Sequence, residues 1–63
     1  MELKDYRQLI MKTQQEVADD LGVTRQYISD LERKSVMPGR KLAEKIVEWS
    51  DKKVTFADLW NWQ

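Results

Sequence analysis

Apolar residues recur at helical spacing from the start of the chain. Leu3, Tyr6 and Ile10 fall at i, i+3 and i+7, flanked by Leu9 and Met11, which predicts a first helix from Glu2 to about Met11. Val17, Ala18 and Leu21 share one face of a second helix. Thr13 suits its N-cap, and Glu16 three residues later completes a capping box. At Leu21-Gly22-Val23 the pattern breaks, and Gly22 supplies the positive φ that ends a helix. Thr24 can cap a third helix, with Ile28 and Leu31 inward and Arg25, Gln26, Tyr27, Ser29, Asp30 and Arg33 outward. Pro38 cannot continue that helix but suits the first turn of a fourth, running from about Gly39 to Trp49 or Ser50. Leu42, Ala43, Ile46, Val47 and Trp49 give the fourth helix a broad inward stripe. A polar loop, Ser50 to Lys53, precedes Thr55, which with Asp58 caps a short fifth helix through Leu59 and Trp60.

The predicted fold is therefore all-α, a compact five-helix bundle. Its core candidates are Leu3, Tyr6, Ile10, Val17, Ala18, Leu21, Val23, Ile28, Leu31, Leu42, Ile46, Phe56 and Leu59. Gln14 to Arg33 organises the rest: two short helices and a tight turn, the arrangement that lays a helix in a DNA groove.

Composition narrows the chemistry. The 63 residues are expected to form one domain, 1–63, without a linker or repeat. A chain this short buries only about 60% of the surface its unfolded form exposes. It has neither cysteine nor histidine, so disulfides, thiolate metal sites and the commonest general base are absent. No metal, cofactor or small-molecule ligand is expected. Asp19 and Asp20 are adjacent on a helix and diverge, which argues against a catalytic carboxylate pair and against an enzyme. No apolar run approaches the roughly 18 residues that span a membrane, so a cytoplasmic location with no membrane partner is the expectation.

Net charge is zero, yet its distribution is uneven. Residues 14–23 carry Glu16, Asp19 and Asp20, a sum of −3. Residues 24–41 carry Arg25, Arg33, Lys34, Arg40 and Lys41 against Asp30 and Glu32, a sum of +3. The third helix and the loop after it are thus basic, as a nucleic-acid surface requires.

Gln14, Val17, Ala18, Leu21-Gly22-Val23, Ile28 and Leu31, with Pro38 and a closing V-T-F-A-D-L-W, resemble the helix-turn-helix of the phage repressor and Cro family, also called the XRE family. The resemblance covers almost the whole chain. It implies a lambda-repressor-like domain acting as a Cro-like repressor, a homodimer on a palindromic double-stranded DNA operator. In some Cro proteins a β-hairpin replaces the last two helices, and 45–56 contains strand-favouring residues. That segment lacks a tight-turn dipeptide, and Leu42, Ile46 and Trp49 keep helical period, so helices are expected. Lys12 stands where the family usually has an apolar residue, which implies a looser join between the first two helices.

Within this frame each polar residue has a role. Base reading falls to Arg25, Gln26, Ser29 and Asp30 on the reading helix Thr24–Lys34; Asp30 suits cytosine N4 or pairs with Arg33 or Lys34. Backbone contact falls to Gln14, Gln15, Thr24, Tyr27, Arg33, Lys34, Arg40 and Lys41, with the N-terminus of helix two as an anion site. Tyr27 can also pack at the rim of the core. Met37 stands where the family places a minor-groove arginine, and Arg40 is the substitute. Family members dimerise near helix five, which points to Phe56, Trp60 and Trp62 as the dimer interface, aromatics being enriched there. The alternative function is a protein-interaction module that keeps the helix-turn-helix as scaffold, which zero net charge and Asp30 favour.

Overall fold

Each helix forms where capping and apolar spacing coincide. The computed structural model describes residues 1–60, in which five helices follow one another: α1 Leu3–Leu9, α2 Gln14–Leu21, α3 Arg25–Glu32, α4 Arg40–Trp49 and α5 Phe56–Trp60. No strand occurs among the described residues, so the hairpin alternative is not realised there. At the start of α2 the Thr13 hydroxyl accepts from the Glu16 amide at 3.1 Å, and the Glu16 carboxylate accepts from the Thr13 amide at 2.8 Å. Thr24 accepts from the Tyr27 amide at 3.1 Å to start α3, and Thr55 and Asp58 cap α5 reciprocally. These bonds satisfy amides that the first turn of a helix leaves unpaired.

The helix ends explain where the pattern misled. The first helix stops at Leu9, because Met11 takes φ 59° and the Lys12 amide bonds back to the Arg7 carbonyl. The same left-handed closure ends α2 at Gly22 (φ 72°), α3 at Lys34 (φ 62°) and α4 at Asp51 (φ 55°). Only one of the four carries the glycine that marks such an end in sequence, and α1 was accordingly predicted too long.

Val17, Ala18, Ile28, Ala43, Ile46 and Val54 are fully buried, closed over by Leu3, Leu21, Leu31 and Leu59. Five expected core residues fall outside this set: Tyr6, Val23 and Leu42 are half-buried and pack against it, Ile10 is half-buried, and Phe56 is 38% exposed. Phe56 opens α5 and lies against Trp60, whereas Val54, one residue before the Thr55 cap, is fully buried. Ser50, expected in a polar loop, is fully buried. Its hydroxyl donates to the Val47 carbonyl and accepts from the Val54 amide at 3.0 Å, so the buried oxygen has partners and holds the α4–α5 turn. Tyr6 and Trp49 meet edge to face with centroids 5.3 Å apart at the margin of the core.

The join of α1 to α2 is closed by charge where the family has an apolar residue. Lys12 pairs with Asp20 at 2.5 Å, and the Trp49 indole donates to the same carboxylate at 3.3 Å. Asp20 is held below the ordinary aspartate range, first by the Lys12 bond and less by Trp49, against a smaller opposing effect of burial.

One ion pair lies deeper. Arg7 on α1 meets Glu32, the last residue of α3, through Nε at 2.6 Å and a second guanidinium nitrogen at 3.1 Å. Their side chains are 14% and 5% exposed. The third guanidinium nitrogen donates to the Lys12 carbonyl at 3.0 Å, and Gln14 at the start of α2 donates its amide to Glu32 at 3.1 Å. Three helices and a turn are thereby tied into one network, with Arg7 and Gln14 bonded to one carboxylate and Arg7 also to the turn. The bond to Glu32 raises the Arg7 pKa further, outweighing desolvation, so the guanidinium stays charged.

Two outcomes check these assignments. Met11 is 89% exposed and makes no core contact, so Met11→Gly removes left-handed strain and should stabilise the domain by about 1 kcal/mol in urea unfolding. Glu32→Ala leaves a buried guanidinium unpaired and should destabilise by about 3–5 kcal/mol. The double variant with Arg7→Ala should then cost clearly less than the two single changes added together. Additive losses would show that the pair does not act as a unit.

Candidate nucleic-acid interface

Thr24 holds extended backbone at φ −83° and ψ 155° and turns the chain into α3, so Arg25 and Gln26 stand exposed on the first helical turn. Gln14, Arg25, Gln26 and Ser29 line one shallow cleft, and Arg7, Thr13, Gln14, Gln15 and Arg25 line another. Gln14 and Arg25 belong to both, so the N-termini of α2 and α3 converge on one exposed surface. The free amides at those ends and the positive end of each helix dipole suit an anion such as a phosphate.

The polar residues differ in how far they are engaged. No ion pair among the described residues uses Arg25 or Lys41, and both are exposed. Arg40 lies 3.7 Å from Glu44 with both side chains largely in solvent, too loose a contact to hold it. Gln15 donates to Asp19 at 3.0 Å along its own helix. Tyr27 is half-buried and packs against the core, so it lies at the rim. Thr24 has its hydroxyl committed to the cap.

Lys34 is placed differently from the rest. Its ammonium bonds the Asp58 carbonyl and the Glu2 carboxylate, the latter at 2.8 Å, so it ties the end of α3 to α5 and the N-terminal residues. Asp30 accepts from Gln26 at 3.0 Å and from Arg33 at 2.5 Å through one oxygen. Arg33 first, then Gln26, hold its pKa below the ordinary range, outweighing burial, and the carboxylate is ionised at neutral pH.

Arg7 and Glu32 are the residues that composition concealed. Their signal is positional: Arg7 lies four residues after buried Leu3, and Glu32 four after buried Ile28, so each charge sits on an inward stripe. Two opposite charges on inward stripes can only coexist as a pair. The pair anchors Gln14, and Arg7 itself lines the cleft.

Trp60 donates its indole to the Pro38 carbonyl at 3.0 Å and lies against Phe56 with centroids 5.0 Å apart; both rings are 38% exposed, and Met37 beside Pro38 is 51% exposed. Trp62, expected at the same interface, lies outside the described residues.

No helix among the described residues is long and apolar enough to cross a membrane. Comparison with known proteins gave no match among curated proteins or solved structures. A family model described as Helix-turn-helix matches residues 3–48, from the start of α1 nearly to the end of α4. With a capped α2, a glycine turn, and an α3 whose outward face is polar and exposed, the chain belongs to the XRE-type helix-turn-helix family of DNA-binding regulators.

Proposed function

We propose that this protein is a sequence-specific repressor of the Cro type, which lays α3 in the major groove and occupies a palindromic operator as a homodimer. The observation that carries this reading is the convergence of Gln14, Arg25, Gln26 and Ser29 on one exposed cleft between the starts of α2 and α3. In that geometry the N-terminus of α2, with Gln14 and Gln15, meets one phosphate while the first turn of α3 reaches base edges. Arg25 carries a charge and a planar fork that matches O6 and N7 of guanine. Gln26 and Ser29 read neighbouring bases. Thr24, Tyr27, Arg33, Arg40 and Lys41 contact the sugar-phosphate backbone around them, and Lys34 contributes through its charge while tied to Glu2. No cofactor or small molecule takes part.

Dimerisation rests on the exposed pair Phe56 and Trp60, next to Met37, an apolar surface at the end of the molecule formed by α5 and the loop before α4. A protein-interaction scaffold is the second reading. It draws on the internal pairing of Arg33 and Lys34, which leaves fewer free cations than the sequence count of basic residues implies.

Selection of bound sequences from a random duplex pool separates the two: a palindromic consensus is expected, and an unenriched pool favours the scaffold. On the selected site, Arg25→Ala should cost about 1–3 kcal/mol and abolish discrimination at one G·C pair per half-site. An equal loss on every sequence would make Arg25 a phosphate contact. For the dimer, Phe56→Ser with Trp60→Ser should lower the self-association constant in sedimentation while helical circular dichroism persists, and half-sites should lie roughly 34 Å apart. An unchanged association constant would remove the aromatic interface.

A further inference from the structure

Asp30 stands on the same face of α3 as Gln26 and Arg33, one turn after the first and one turn before the second. A single oxygen, Oδ1, accepts from Gln26 Nε2 at 3.0 Å and from Arg33 at 2.5 Å. The carboxylate is about one quarter exposed, and Arg33 is 63% exposed. An ionised carboxylate only accepts, so the Gln26 amide must turn its NH2 towards Asp30 and its carbonyl oxygen away. Arg33 bonds the same oxygen and holds Asp30 in place.

We propose that Asp30 is a positioning residue that fixes the face of the Gln26 amide, so that Gln26 selects adenine and rejects guanine at its base pair. This inference rests on the major-groove reading of α3 above. With one N–H spent on Asp30, Gln26 presents its carbonyl oxygen and its second N–H side by side. That acceptor–donor pair matches N6–H and N7 of adenine in the major groove. Guanine offers two acceptors, N7 and O6. The outward carbonyl of Gln26 would face O6 without a proton between them, a like-dipole contact with an unpaired acceptor. A glutamine without the Asp30 bond can rotate about its last torsion and give both N–H groups to guanine, so it distinguishes the two purines poorly. Asp30 on this account touches no base and confers specificity by excluding the wrong amide orientation.

The test compares wild type, Asp30→Ala, Asp30→Asn, Gln26→Ala and the double variant Gln26→Ala with Asp30→Ala. Each is measured on the selected duplex and on duplexes changed one base pair at a time. Removing a negative charge beside DNA should tighten binding of every sequence, so the readout is the adenine-to-guanine affinity ratio at each pair. At the one pair whose preference Gln26→Ala abolishes, Asp30→Ala should reduce that ratio roughly tenfold. Asp30→Asn keeps an oxygen acceptor for Gln26 and should retain most of the ratio, which a purely electrostatic role for Asp30 would not allow. In the double variant the Asp30 change should have no further effect on the ratio.

A ratio that survives Asp30→Ala overturns the inference and leaves the DNA reading intact. Loss of a C·G preference at a different pair also overturns it, since Asp30 would then accept from cytosine N4 directly. A wild-type protein without preference at any pair overturns the reading of α3 and this inference with it. Helical circular dichroism of each variant verifies that the measured chains are folded.

Discussion

The buried pair of Arg7 and Glu32 is the contact on which the rest of the arrangement depends. It joins α1 to the end of α3 through two short bonds, the turn before α2 through the Lys12 carbonyl, and α2 itself through Gln14. Burying two charges is costly in itself, and replacing such a pair by apolar residues is often neutral or stabilising. Its value here is therefore directional. Apolar contacts among Val17, Ala18, Ile28 and Ile46 would tolerate small rotations of α2 against α3. A bidentate guanidinium–carboxylate pair, with Gln14 bound to one of its oxygens, does not. The same network that fixes the helix angle fixes the residue at the start of α2, where a phosphate is expected to bind.

Function follows from that rigidity. The exposed cleft is made of two helix starts, and each is set by its own cap, Thr13 for α2 and Thr24 for α3. The caps determine where each helix begins, the Arg7–Glu32 network determines how the two starts face each other, and the closely packed Ala18 lets the helices approach. What remains exposed is a short row of side chains with unlike freedom. Arg25 and Lys41 are unpaired by any described residue, whereas Gln26 and Arg33 are tethered to Asp30. Arg25 is therefore free to turn towards a ligand, whereas the Gln26 amide is held by its own helix.

Several basic residues of this neutral chain are taken up by pairs within it. Lys12 with Asp20, Arg33 with Asp30 and Lys34 with Glu2 are internal pairs. The formal sum hides the difference between cations consumed by such pairs and those left facing outward. Arg25 lines the cleft, and Arg40 and Lys41 at the start of α4 are exposed, Arg40 only loosely against Glu44.

The sequence by itself determined the element types, their order and most of their starts. Thr13, Thr24 and Thr55 each cap with the residue three positions on, a local interaction that needs no tertiary partner. Gly22 marked its turn for the same reason, since only local backbone sterics decide a positive φ there. The inward stripes of α2, α3 and α4 followed from helical spacing. Tertiary structure decided what depends on residues far apart in the chain. The left-handed ends at Met11, Lys34 and Asp51 form because the next segment must fold back, and nothing in those side chains announces it. Val54 rather than Phe56 is buried, and its amide is bonded to the buried Ser50 hydroxyl four residues earlier. Lys34, read as a phosphate contact, turned towards Glu2 and the Asp58 carbonyl because α3 ends beside α5 and the N-terminal residues. The pairing of Arg7 with Glu32 spans 25 positions, and charge alone could not show it: a guanidinium on an inward stripe is intelligible only once the carboxylate that meets it has been brought into reach.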